Sequence, residues 1–299
     1  PAPARGSRAW KERARKGVPP PLRMHAWLDA AGAGAAPGEY EALVERAERQ
    51  DEEEEEEAAS AASAATTSTS APVDGAAPRR RVAREIANDL ARTFPSHAWV
   101  ASDEGQEALR RVLLAAAAHN PRVGYCQGMN FVAALLLLVC RGAAPSADGF
   151  TVPSASVHGE EAAFWLLSAL VERVQYDDLY AEHLLGCQVE LRVLEGLLHD
   201  KLPRLAEHLD AIKCDLKTLA TDWFLCAFAR SLPAETTCRV WDALYAEGGK
   251  VLFRVALALL ADAEDALLAA PGAGEAYVAL RAHCAASHDA DALGAALPA

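Results

Sequence analysis

The sequence predicts an all-α protein, and three observations carry that expectation. Alanine and leucine dominate, while β-branched and aromatic residues are scarce, a bias that favours helix over strand. Apolar residues recur at helical spacing, as at Leu109, Val112, Leu113 and Ala116. Pro, Gly or charged residues bound these runs at helix-length intervals. No fixed-period repeat is visible, which argues against a solenoid of identical units.

Residues 1–30 are basic and proline-containing, with Leu22, Trp27 and Leu28 placed to dock on a larger body. Residues 31–80 read as an insertion. Its low-complexity part, 51–79, runs from the acidic block Asp51–Glu57 through Ala/Ser/Thr repeats to Pro72, Gly75 and Pro78. It is expected to be disordered, because it cannot bury enough apolar surface to offset the entropy of ordering. Residues 81–175 form the expected N-terminal half. It begins with a helix over Val82–Arg92, stopped by Pro95, which disfavours α geometry at Phe94. A helix over Glu104–Ala118 follows, then a polar break over 119–124, then an apolar helix opening near Gln127. After a Gly- and Pro-rich loop comes Glu160–Val174. The C-terminal half, 176–299, carries Leu179–Leu198, Pro203–Ile212, Thr221–Ser231, Ala234–Glu247 and Leu252–Leu268.

Composition excludes several functions. A net charge of −13 argues against nucleic acid as a partner. Seven cysteines, odd in number and without a CxxC pair, read as free thiols in a reducing compartment. Residues 1–23 lack an apolar signal-peptide core. The apolar run Phe131–Cys140 is too short to span a bilayer, and Val251–Ala270 is interrupted by Arg254, Asp262, Glu264 and Asp265. A cytoplasmic protein without a transmembrane segment is expected. The nine histidines show no metal-ligand spacing, and neither a nucleophile elbow nor a GxxxxGK[ST] loop occurs. Neither a metal nor a cofactor of its own is expected. The six tryptophans read as packing.

Two constellations remain. In Ile86-x-x-Asp89-x-x-Arg92, three-residue spacing makes Asp89 the neighbour of both Ile86 and Arg92. Asp89 can hold Arg92 by a charge-assisted hydrogen bond at the helix end. In Gly124-Tyr125-Cys126-Gln127-Gly128, the Gln127 amide lies where a loop turns into a helix and can both donate and accept, which suits it to orient a water. Alone, the first reads as an exposed ion pair and the second as a glutamine serving a helix start.

Together they resemble the paired motifs of the TBC domain family, the GTPase-activating proteins of Rab-type GTPases. Ile86, Asp89 and Arg92 match one signature, continued by Thr93-Phe94-Pro95, and Tyr125, Gln127 and Gly128 match the other. His119-Asn120-Pro121, Met129-Asn130, Lys16-Gly17-Val18-Pro19 with Leu22-Arg23 and Trp27, and Arg239-Val240-Trp241-Asp242 also look like the family. Met24, Pro20-Pro21 and the polar Thr236-Thr237-Cys238 depart from its usual pattern.

The resemblance implies two helical subdomains forming a V. It implies an activator that does no chemistry alone and regulates vesicle traffic by stimulating GTP hydrolysis on a GTP-bound Rab. Arg92 is then an arginine finger and Gln127 a glutamine finger, both supplied in trans, with Asp89, Ile86, Tyr125 and Gly128 in support. GTP and Mg²⁺ would come with the partner, and the chain would work in the cytoplasm or peripherally on endomembranes. A non-catalytic helical adaptor that binds a GTPase or another protein is the competing expectation.

Overall fold

The computed structural model describes residues 6–33, 38–50, 78–141 and 159–290. Among these the protein is all-α, with no strand. The helices are α1 (Arg8–Lys16), α2 (Arg23–Ala31), α3 (39–50), α4 (Pro78–Leu90), α5 (Asp103–His119), α6 (Met129–Arg141) and α7 (Gly159–Ala169). They continue with α8 (Leu185–Lys201), α9 (Pro203–Ala211), α10 (Leu216–Leu225), α11 (Ala234–Glu247), α12 (Lys250–Asp262), α13 (Glu264–Leu268) and α14 (Ala273–Ala286). A π-helical turn, Leu170–Val174, extends α7.

Local chemistry explains several boundaries. Ser7 accepts from the Trp10 amide and Ser102 from the Gly105 amide, capping α1 and α5. Asp103 and Glu104 then face the positive end of the α5 dipole. Asp215 caps α10 by accepting from the Lys217 amide at 2.9 Å. That cap moves α10 to Leu216–Leu225, earlier than the expected Thr221–Ser231. Ala227 and Phe228, both at positive φ, end the helical run. The Ala227 carbonyl turns instead to the Trp241 indole, at 2.8 Å.

Helix α3 corrects the reading of 31–80 as one insertion. Tyr40, Leu43 and Ala47 lie in the core, Tyr40 donates to Glu160, and its ring packs 5.3 Å from that of Phe164. The low-complexity stretch expected to be disordered lies, over 51–77, outside the described residues. Helix α14 is a second addition, seating Ala276, Leu280 and Cys284 in the core at four-residue spacing. The expected Leu252–Leu268 helix divides at Ala263 into α12 and α13.

Helices α4 to α7 pack together on one side, and α8, α9, α10, α12, α13 and α14 on the other. Helix α11 bridges them, touching α1, α2, the π turn and α12, and one hydrophobic core runs through both groups. Its hub is Asp242 on α11. One carboxylate oxygen accepts from the Trp27 indole and the other from the Val18 amide, each at 2.8 Å. The guanidinia of Arg23 and Arg239 lie 3.5 and 3.6 Å away. Burial pushes the Asp242 carboxyl up to about 6, against the pull of these donors. Trp27 also stacks on Tyr245 and meets Trp241 edge-on.

The polar residues of α11 that depart from the family pattern find partners. Thr237 donates to the Pro233 carbonyl at 3.1 Å and Thr236 to that of Ser287 at 2.8 Å, while Met24 is buried. All seven cysteines are free thiols, Cys126 half-buried and the rest buried.

Replacing Asp242 by Ala leaves the Trp27 indole and the Val18 amide without their acceptor, while Arg23 loses one counter-charge and keeps its pair with Glu235. Urea denaturation is expected to show a loss of about 2–4 kcal/mol, from orphaned buried donors at about 1–3 kcal/mol each, beyond that of an exposed control such as Glu12→Ala.

Candidate functional site

Helix α4 ends at Leu90, so Arg92 stands in the turn beyond it and not in its last turn. The Thr93 amide bonds back to the Leu90 carbonyl, and Phe94, ahead of Pro95, takes a positive φ of 41°. Phe94 is held there edge-on against Phe131 of α6, with ring centres 5.4 Å apart. Gln127 likewise sits in the turn before α6, which begins at Met129, and its side chain is exposed.

Asp89 receives donors at both oxygens while only 5% of its side chain is exposed. Arg92 Nη2 pairs with Oδ1, with half of the arginine side chain in solvent. The Tyr125 hydroxyl donates to Oδ2 at 2.6 Å. Burial first, then this bond to Asp89, pushes the Tyr125 phenol well above its usual value, so it remains a donor throughout the physiological range.

A second path leaves the Asp89 backbone. Thr93 Oγ1 donates to the Asp89 carbonyl at 2.7 Å and accepts from Asn130 Nδ2 at 2.7 Å. Asn130 Oδ1 accepts from the Gly128 amide at 3.1 Å. Thr93, Asn130 and Gly128 are all buried. Arg92 and the Gln127–Gly128 turn are thus held by one continuous hydrogen-bonded network, although 35 residues of chain separate the two.

A family model described as the Rab-GTPase-TBC domain matches residues 21–268. The chain belongs to this family. It is 42% identical over 209 residues to mouse TBC1 domain family member 2A, covering 69% of this chain and 21% of that protein. It is 34% identical over 271 residues to human growth hormone-regulated TBC protein 1, covering 88% of this chain and 66% of that one. The chain therefore spans about a fifth of the first relative and just under two thirds of the second. A crystal structure of the Chlamydomonas flagellar RabGAP TBC domain is similar over 100% of this chain and 86% of its own. Its TM-score is 0.77 at 37% identity. The Ypt/Rab-GAP domain of Gyp1p, at 18% identity and a TM-score of 0.70, shares the fold.

The TBC domain brings Asp89, Arg92, Tyr125, Gln127 and Gly128 together around one turn-to-turn junction. Ile86 is wholly buried and supports the site by packing alone. Tyr125 holds the Arg92 side of the junction, through Asp89, more directly than the loop around Gln127. Gly128 has a φ of 114°, and a Cβ there would approach Cys226 Sγ to 3.1 Å and Leu225 Cβ to 3.4 Å. The glycine thus admits the end of its own protein's α10. Burial, and then the nearby Cys187 thiol, pushes the Cys126 thiol up to about 12, which disfavours the thiolate. Thr93 and Asn130, which join the two motifs, had no assigned role in the sequence reading. Among the described residues no group of three or more His, Cys, Asp or Glu can hold a metal ion, and no helix is long and apolar enough to cross a membrane.

Tyr125→Phe keeps the ring and leaves Asp89 Oδ2 without its donor. Chemical denaturation is expected to register a loss of about 1.5–3 kcal/mol, the range for a hydrogen bond to a charged group. Gly128→Ala adds a crowded Cβ at a left-handed backbone, and is expected to cost about 1–3 kcal/mol.

Proposed function

We propose that this chain accelerates GTP hydrolysis on a Rab-type small GTPase, with Arg92 and Gln127 completing the partner's active site. The observation that supports this reading is the joint mounting of two exposed polar side chains on a single buried network. A merely structural Asp–Arg pair has no need of a hydrogen-bonded tie to a glutamine turn on another helix.

Phosphoryl transfer to water asks for positioning and for charge stabilisation more than for covalent chemistry. Arg92 stays charged and presents planar donors, suited to the charge developing on the γ-phosphate and the bridging oxygen. Gln127 can accept from an attacking water and donate to a phosphate oxygen. Asp89 has both oxygens committed, which fits a positioning role and not that of a base. Asp89, nearly enclosed, holds the guanidinium from behind while half of the arginine side chain stays in solvent, where a phosphate can reach it. GTP and Mg²⁺ arrive with the partner, and the chain does no covalent chemistry itself. An activator of this kind works in the cytoplasm or peripherally on endomembranes, ending the GTP-bound phase that drives vesicle traffic.

Single-turnover hydrolysis across a panel of GTP-loaded Rab proteins tests the proposal. The wild type is expected to accelerate at least one of them, and Arg92→Ala to lower that acceleration by about 10³-fold or more. Gln127→Ala is expected to be impaired as well. A wild type that accelerates none, or two variants that keep full activity, would reject the catalytic reading. Binding without acceleration would point instead to an adaptor.

A further inference from the structure

A site completed in trans requires a partner that covers the ground around it, and specific protein pairs bury at least about 1,000 Å² in total. Two side chains cover only a small part of such an area, so most of the contact surface must lie around them. Among the described residues, large exposed hydrophobic side chains are few, and four of them, Tyr176, Leu185, Val189 and Val193, belong to one short stretch of chain. Leu185, Val189 and Val193 recur every four residues on α8, forming a single stripe about 12 Å long. The opposite face of α8 carries Cys187, Leu191, Leu194 and Leu198 into the core. The stripe is 46–64% exposed and contributes little to folding.

The end of this surface at Tyr176 and the start of α8 lies near the loop that leads to the glutamine turn. Arg122, on the loop leading to Gln127, pairs with Asp177 and Asp178 at 2.9 and 3.0 Å. Gly186 of α8 lies so close to the Asp178 backbone that a Cβ would collide with it. Tyr176 immediately precedes these aspartates. It is 67% exposed at a φ of +67°, a conformation a bulky residue adopts only at a cost. Its neighbour Gln175 is fixed by donating to the Phe224 carbonyl at 3.0 Å and accepting from the Tyr180 hydroxyl at 2.7 Å. The Tyr176 ring is therefore held outward by its surroundings.

We propose that Tyr176 and the α8 stripe form the apolar docking surface for the GTP-loaded GTPase, seating an apolar patch that flanks the partner's nucleotide. The proposal rests on the GTPase reading above and goes beyond it, because it separates binding from rate enhancement. Arg92 and Gln127 act on the phosphates, while the stripe supplies affinity that is equal in ground and transition states.

The test is single-turnover hydrolysis against activator concentration, on a Rab that the wild type accelerates. Val189→Asp and Val193→Asp are compared with wild type, their folding checked by circular dichroism and thermal midpoint. The half-saturating concentration is expected to rise about tenfold or more while the maximal rate stays within about twofold, the pattern of lost uniform binding. Near-isosteric Val189→Thr is expected to shift it the same way by less, and Arg92→Ala to lower the maximal rate instead. Unchanged half-saturation in both aspartate variants, with the wild type active, overturns the docking proposal and leaves the catalytic reading intact. If the wild type binds a GTPase without accelerating it, the catalytic reading fails and the same variants are judged by Kd, where a tenfold rise supports docking and no change overturns it. A wild type that neither binds nor accelerates overturns both.

Discussion

One buried acceptor, Asp89, sets the geometry of everything exposed at the site. Its two carboxylate oxygens fix Arg92 and Tyr125, and its backbone carbonyl anchors the Thr93–Asn130–Gly128 relay. In a region of low dielectric such a network polarises itself and resists partial disruption, since each orphaned group would carry a desolvation penalty. The two turns that carry Arg92 and Gln127 are thereby tied to the helices behind them. The solvent boundary falls between Asp89, which is nearly enclosed, and Arg92, which is half open.

Asp242 uses the same device for a different end. It gathers donors from Val18, Trp27, Arg23 and Arg239, tying the start of the chain to a helix more than two hundred residues later. Here no donor is left for a partner, and enclosure is complete enough that burial raises the carboxyl pKa. The contrast is one of exposure and not of residue type. A carboxylate whose cation reaches solvent serves a surface function, and one whose cations are sealed in serves the fold.

Much of the fold was legible in the sequence, and the lapses have physical causes. Helix α11 reads correctly from Ala234 to Glu247 because Pro233 and Gly248 bound it. Helix α10 was misplaced because its end depends on a tertiary bond, Trp241 to the Ala227 carbonyl, that no local pattern reports. Helix α14 carries small residues and a narrow buried face, and so gave a weak periodic signal. The spacing of Tyr40, Leu43 and Ala47 was present but lay beside the low-complexity run. At the site, Asp89, Arg92, Tyr125 and Gln127 were recognisable as residues in motifs. The Thr93–Asn130 bond, spanning 37 positions, was not, because it exists only once α4 and α6 lie side by side.

Helix α3 has a consequence for how the chain tolerates change. Tyr40 pins it to α7 through Glu160 and Phe164, and Arg46 donates to the last turn of α5 at Ala118. The following element, α4, packs on α5 in turn. Both ends of the segment joining α3 to α4 are therefore clamped by the folded body. The register of α4, and with it the aim of Arg92, is set by its packing on α5 and not by the length of chain that precedes it. The fold thus contains a stretch in which evolution can experiment without retuning the machinery beside it.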